Sequence, residues 1–334
     1  MSEFEPSWWC RGGHRTTFAV WARPRRFPHL PRGERRFFPA GDRTYVLADC
    51  NWQPRRHEHP VLVALHGLEG SSDSHYMKGL AEKAWVRGFS VVRLNQRNCG
   101  GTEHLTPGLY HSGLTADAHA VVQGLIERDR VPAIALAGYS MGGNIALKLA
   151  GEYGADAPPE LAAVCAVSPP IDLTQAVGLL ERRANLVYQW NFLRSLERRI
   201  QRKRAAFPDR YSTRGLRRIR TMRAFDDRYT APHNGFRDAQ DYYQRAGAIH
   251  VIARISVPTL IISALDDPFI PAGPFRDPRV TGNPHIEVVL ASRGGHCGFL
   301  SKRSGDHDGY WAEWKIVEFA QEMTRAEAEQ RKAG

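Results

Sequence analysis

Ala133-Ile134-Ala135-Leu136-Ala137-Gly138-Tyr139-Ser140-Met141-Gly142 is a short apolar run that gives way almost at once to a helix-forming run starting at Met141. In that setting Gly-x-Ser-x-Gly reads as a nucleophile elbow. The turn from strand to helix is so tight that the positions two residues either side of the serine must be nearly free of side chain. Gly138 and Gly142 meet that demand. The pentapeptide alone is a weak signal, so the flanking pattern has to carry the reading.

Working outward, Val61-Leu-Val-Ala-Leu65 and Phe89-Ser-Val-Val-Arg-Leu94 are near-continuous apolar runs, as expected of parallel strands covered by helices on both faces. Residues 77–86, 116–127 and 145–152 carry helical patterns between and after them. The alternation predicts an α/β fold: a doubly wound, mostly parallel sheet with right-handed crossovers. Further strands are predicted over 161–167, 259–264 and 286–290, and a last helix over 311–323. The carboxyl ends of the strands should line one active-site rim.

With 334 residues and 42% hydrophobic content, the chain can bury a full core and carry an insertion. No apolar run approaches the roughly 18 residues of a membrane span. The opening Met1-Ser-Glu-Phe-Glu-Pro6 lacks the layout of a secretory signal, so a cytoplasmic location is predicted. The five cysteines (10, 50, 99, 165 and 297) are odd in number and follow no paired Cys-x-x-Cys spacing, which points to free thiols rather than disulfides or a zinc site.

The charge is uneven. Residues 182–223 hold fourteen Arg and Lys against two acids, Glu197 and Asp209, while the whole chain carries +11, so the remainder is close to neutral. This run follows Ser168-Pro-Pro170 just past a predicted strand and reads as a helical cap over the carboxyl edge of the sheet. The predicted layout is therefore an N-terminal extension (1–43), an α/β core (44–170 and 250–334) and a cap insertion (171–249). A basic surface can attract nucleic acid, an anionic membrane or an anionic substrate. An ordinary solvated face is the plainer reading. No recognised nucleic-acid motif is present, so a nucleic-acid partner is not expected.

A serine hydroxyl is a poor nucleophile until a base takes its proton, and the base must be oriented by an acid. On a doubly wound sheet both should come later in the chain, acid first. Thr259-Leu-Ile-Ile-Ser-Ala-Leu265 ends in Asp266-Asp267-Pro268-Phe269-Ile270-Pro271, which puts two carboxylates at the carboxyl end of a strand. After the last predicted strand comes Ser292-Arg-Gly-Gly-His296-Cys-Gly-Phe299, whose histidine can reach over the sheet edge. His57, Glu58 and His59 resemble a solvated loop, and no His-Glu-x-x-His motif exists. His285 faces the wrong end of its strand and His307 lies in a polar loop. Asp172 follows a strand too, but helix capping is its plainer role. For the developing oxyanion, the backbone N–H of Met141 is one donor, and His66-Gly67-Leu68-Glu69-Gly70 places that of Leu68 as the second.

At this point the chain resembles the YheT-like branch of the α/β-hydrolases, which includes the eukaryotic ABHD-type hydrolases. The resemblance covers about residues 60–320. It rests on His66-Gly-Leu-Glu-Gly-Ser-Ser72, Asn95-Gln-Arg-Asn-Cys-Gly-Gly101, Tyr110-His-Ser-Gly113, Gly138-Tyr-Ser-Met-Gly-Gly-Asn144, Phe225-Asp-Asp-Arg-Tyr-Thr-Ala-Pro232, Asp266-Asp-Pro-Phe269 and Gly294-Gly-His-Cys-Gly-Phe299. It implies the α/β-hydrolase fold with a helical cap and a Ser-Asp-His triad. It also implies carboxylester hydrolysis without metal or organic cofactor. In the wider superfamily a proline commonly stands four residues after the acid, which matches Asp267 with Pro271; Asp266 is the alternative. Arg97 and Tyr110-His111-Ser112 carry family motifs near the rim and are read as loop braces rather than pocket walls.

The expectation is therefore a serine esterase acting on a small-molecule ester: Ser140 as nucleophile, His296 as base, Asp267 as acid, and Leu68 and Met141 as oxyanion donors. A lipase or acylglycerol hydrolase and a thioesterase share this machinery. A non-catalytic binding protein on the same fold is the non-enzyme alternative. Pocket shape, which the cap builds, decides among substrates.

Overall fold

The computed structural model describes residues 4–8, 10, 12–41, 44–305 and 307–333. In chain order the elements are α1 (Gly13–Ala22), β1 (Glu34–Pro39), β2 (Tyr45–Asn51), β3 (Val61–Leu65), α2 (His75–Val86), β4 (Ser90–Asn95), α3 (Ala116–Glu127), β5 (Ile134–Tyr139), α4 (Met141–Tyr153) and β6 (Leu161–Val167). Then follow α5 (Leu173–Leu180), α6 (Leu186–Ala206), α7 (Met222–Phe225), a π-helical turn (Asp226–Thr230), α8 (Ala231–His233) and α9 (Ala239–Ala246). The chain closes with β7 (Thr259–Ala264), α10 (Pro278–Thr281), β8 (Ile286–Ala291) and α11 (Trp311–Ala333).

The eight strands form one sheet in the order β1-β2-β4-β3-β5-β6-β7-β8. β2 runs antiparallel to both β1 and β4, and every pair from β4 to β8 is parallel. All residues of β3, β4, β5, β6 and β7 are buried, which is why these segments read as unbroken apolar runs rather than alternating ones. Alternate side chains still part between the two faces. Val63 and Leu65 join the core under α3 and α4, whereas Leu62 and Ala64 meet Met77, Leu80 and Ala84 of α2 and Ile316 and Val317 of α11.

The chain passes from β3 to β4 on one side and then returns to lay β5 on the other side of β3. Leu65 and Gly138 are paired across that seam, so the loops leaving β3 and β5 emerge side by side at the reversal of strand order, where ligands bind in open α/β sheets.

The sheet holds two strands beyond those read from the sequence. β1 lies inside residues 1–43 yet joins the sheet, so the sheet starts before the boundary at residue 44. As an edge strand it tolerates exposed Arg35 and a terminal Pro39, with Phe38 as its one buried side chain, and this hid it. β2 also escaped the apolar-run reading, because its pairing with β1 and β4 rather than an unbroken run defines it. Between β6 and β7 the chain inserts the helices α5 to α9.

Candidate active site

Ser140 sits between β5 and α4 with φ 50° and ψ −121°, a conformation that costs a side-chain-bearing residue about 1–3 kcal/mol. Neighbouring backbone holds it there. The Ser140 N–H donates to the Val167 carbonyl at 2.8 Å, and the Asn144 N–H donates to the Ser140 carbonyl at 3.1 Å. A Cβ at Gly138 would overlap the Gly142 carbonyl oxygen, and one at Gly142 would lie 2.6 Å from the carbonyl oxygen of His66. The two glycines therefore permit the close approach of β3, β5 and α4.

The adjacent carboxylates after β7 divide their work. Asp267 Oδ2 lies 2.9 Å from His296 Nδ1, and its Oδ1 accepts the N–H groups of Phe269 and Ile270 at 3.1 and 3.0 Å. Asp266 instead accepts the N–H groups of Gly294 and Gly295, each at 2.8 Å, through Oδ1. One carboxylate holds the histidine ring and the other holds the loop that carries it. Burial disfavours the imidazolium of His296, but Cys297 and the Asp267 carboxylate outweigh it and raise its pKa above the ordinary value. The ring also packs on Phe269 at 4.1 Å between centroids, and Phe269 lines the same cavity as Ser140.

Met141 is the first residue of α4, so its N–H has no intrahelical acceptor and sits at the positive end of the helix. The loop bearing Leu68 is fixed at several points. His66 Nε2 accepts the Gln96 N–H at 3.1 Å while Nδ1 donates to the Gly67 carbonyl at 2.7 Å. Burial lowers the His66 pKa to about 4, so it is a neutral scaffold and not a base. The Gly67 N–H donates to Tyr76 Oη at 3.0 Å, and a Cβ at Gly67 would stand 3.3 Å from that of Ser140. Glu69 accepts from Tyr110 Oη and from Arg199 Nε, both at 2.7 Å.

Above Ser140 lies a cavity of about 110 Å³ between core and inserted helices, walled by apolar side chains including Leu173, Val177, Phe192, Leu196 and Ile200. Asp226, on the π-helical turn, is a buried polar exception. Burial raises its pKa to about 6 against the hydrogen bonds from Thr230 Oγ1 at 2.6 Å and Tyr243 Oη at 2.7 Å.

The remaining residues singled out from sequence have clear places. Arg97 pairs with Asp117 at 2.5 Å. Tyr110 Oη donates to Glu69 in the neighbouring loop and the Ser112 N–H donates to Tyr242 Oη of α9 at 3.0 Å, although Tyr110, His111 and Ser112 also contribute to the cavity wall. Asp172 caps α5 by accepting the Gln175 N–H at 3.0 Å. No cluster of three or more His, Cys, Asp or Glu able to hold a metal occurs among the described residues.

Sequence reasoning passed over Arg199 and Lys203, two of the fourteen basic residues between 182 and 223. Both are buried. Arg199 spans from Glu69 to the Asn98 carbonyl, and Lys203 donates to the Glu103 carbonyl at 3.1 Å. They tie α6 to the loops of the rim, whereas Arg182, Arg183, Arg194 and Arg198 are exposed. The signal was helical phase: Leu193, Leu196, Ile200 and Lys203 recur at spacings of three and four along α6.

Comparison with known proteins bears on this arrangement. The model of the alpha/beta hydrolase fold family matches residues 60–303. YheT of Escherichia coli (strain K12), whose name assigns it provisionally to the esterases, is 35% identical over 300 residues, which cover 88% of this chain and 86% of YheT. The phospholipase ABHD3 of Mus musculus is 29% identical over 72% of this chain, and the match spans only 58% of that protein's length. Among solved structures, the Pyrococcus furiosus esterase Pf2001 superposes with a TM-score of 0.57 at 16% identity, over 87% of this chain and 93% of the esterase, a likeness of fold.

Proposed function

Because the chain belongs to the α/β-hydrolase superfamily, in its YheT-like, ABHD-type branch, we propose that it is a serine hydrolase that cleaves carboxylic esters. The observation that carries this reading is the 2.9 Å contact between Asp267 and His296 at the rim where Ser140 stands on a strained turn. Ser140 Oγ attacks the ester carbonyl carbon as His296 Nε2 takes its proton, while the Leu68 and Met141 N–H groups receive the oxyanion. Collapse breaks the bond to the alcohol, which leaves with the proton from His296. Water, activated by the same imidazole, then attacks the acyl-enzyme and releases the acid. Asp267 keeps the Nδ1 proton in place and supports the imidazolium in both halves. Residues 171–249 act as the cap that shapes the acyl site, and no metal or organic cofactor takes part.

The apolar cavity predicts which esters are turned over best. Across p-nitrophenyl esters of increasing acyl length, kcat/KM should rise by up to about fourfold per carbon, the equivalent of ~0.8 kcal/mol per buried methylene, until the cavity is full. The same assay read against pH should show an acid limb with a midpoint above the ordinary histidine value of ~6.5, because below the raised pKa the imidazolium cannot accept the serine proton. Absence of turnover at every chain length would overturn the esterase reading.

Within that class, a lipid ester is favoured by the surface beside the cavity. Trp8, Phe18 and Val187 flank a groove of about 900 Å³ between α1 and the start of α6, and Trp21 and Trp190 extend the apolar surface. Trp21 is 66% and Val187 75% exposed, more than a folded surface needs to show. Exposed Arg15, Arg183 and Arg194 stand among them, a mixture suited to an anionic bilayer surface. No described helix is long and apolar enough to cross a membrane, so the contact would be peripheral. The protein should co-sediment with phosphatidylglycerol-containing vesicles at low salt and be released at high salt, with a Debye length of about 8 Å at physiological ionic strength marking the transition. Hydrolysis of a neutral short-chain ester should hardly respond to salt. No vesicle binding at low salt would leave the patch as ordinary solvated surface.

A further inference from the structure

The loop carrying His296 presents four successive backbone N–H groups, and side chains from three separate parts of the chain capture all four. Asp266 takes those of Gly294 and Gly295, Thr17 Oγ1 takes that of His296 at 2.8 Å, and Ser168 Oγ takes that of Cys297 at 3.2 Å. Asp266 and Ser168 stand at the ends of β7 and β6, within the residues matched by the family model. Thr17 does not. It lies on α1, and of these three side chains it is the one that reaches the backbone of the histidine itself.

The Thr17 hydroxyl is fully engaged. It donates to the Gly13 carbonyl one turn earlier at 2.7 Å, which turns a lone pair toward the His296 N–H. The packing around this bond leaves no room for adjustment. A Cβ at Gly13 would overlap the Asp266 carbonyl oxygen, one at Gly295 would lie 2.7 Å from the Gly13 carbonyl oxygen, and one at Gly298 would lie 2.8 Å from Thr16 Cγ2. Glycines on both sides of the contact therefore let α1 press against the loop. Beyond it, the Ser7 N–H donates to the Leu300 carbonyl at 2.8 Å and Phe4 meets Phe299 edge-on at 5.7 Å, so the N-terminal segment also grips the chain after the histidine.

We propose that α1 is a positioning element for His296 and that Thr17 is the residue through which it acts. The ring is set from one end by Asp267 and the backbone from the other by Thr17, which together define where Nε2 stands relative to Ser140. This rests on the reading of His296 as the base. Small displacements of a catalytic group cost up to about 10²-fold in rate.

The test compares Thr17→Val, which keeps the shape and removes the acceptor, with Thr17→Ser, which keeps the acceptor. Thr17→Val should lower kcat for a short-chain p-nitrophenyl ester by about 10- to 100-fold with KM changed less than about twofold, and slow fluorophosphonate labelling of Ser140 by the same factor. Amide hydrogen exchange over residues 294–298 should quicken in Thr17→Val and return to the wild-type rate in Thr17→Ser, together with most of the activity. Wild-type labelling rate and exchange in Thr17→Val would overturn the positioning role while leaving His296 as the base. Losses in Thr17→Ser as large as in Thr17→Val would reduce Thr17 to a packing residue. A wild-type protein labelled no faster than Ser140→Ala would remove the catalytic reading itself, and the proposal with it.

Discussion

Replacing Ser140 with alanine is expected to lower ester turnover about 10⁶-fold and to abolish labelling by a fluorophosphonate probe, while circular dichroism and the melting temperature stay near those of the wild type. The effect is large because the proposed chemistry runs through one oxygen: without Oγ no acyl-enzyme forms, and water in its place lacks the held geometry at the end of β5. The fold should tolerate the change. The turn is maintained by backbone hydrogen bonds to Val167 and from Asn144 and by the glycines at 138 and 142, none of which involves the hydroxyl. Alanine at a positive φ is no more strained than serine. Labelling that persists in Ser140→Ala would sink the assignment of the nucleophile.

The second large effect separates two neighbouring carboxylates. Asp267→Asn should lower kcat about 10⁴-fold, since an amide presents an N–H where the imidazole needs an acceptor and removes the charge that supports the imidazolium. Asp266→Asn should cost less than about tenfold. Its Oδ1 accepts two backbone N–H groups, and an asparagine carbonyl oxygen can accept the same pair. Steady-state kinetics on one short-chain ester decides between them. A greater loss in Asp266→Asn than in Asp267→Asn would move the acid role to Asp266.

These two cases show what kinds of information the chain carries locally. The central strands were readable because a parallel strand buried on both faces must be apolar throughout, and the elbow was readable because a turn that tight excludes side chains two residues either side of its serine. Both constraints act within a few residues. β1 was missed because an edge strand answers to one neighbour only, so Glu34 and Arg35 can stand exposed and Arg36 half-buried while Phe38 enters the core, and β2 was missed because its pairing with β1 and β4, not an apolar run, defines it. The basic run of residues 182–223 was visible as composition, but its division into exposed arginines and the buried Arg199 and Lys203 depends on which face of α6 meets the rim.

By itself, then, the sequence determined the alternation of strand and helix, the tight turn at Ser140, and the order in which a serine, two carboxylates and a histidine reach the carboxyl edge of the sheet. Those follow from periodicity, side-chain volume and chain direction. Only the tertiary structure decided that Asp267 faces His296 while Asp266 faces the Gly294–Gly295 backbone, for two adjacent residues share composition and differ only in direction. It alone brought Thr17 to the histidine across 279 positions of sequence. No local pattern encodes such a contact, because the hydroxyl's partner exists only once α1 has packed against the loops leaving β7 and β8.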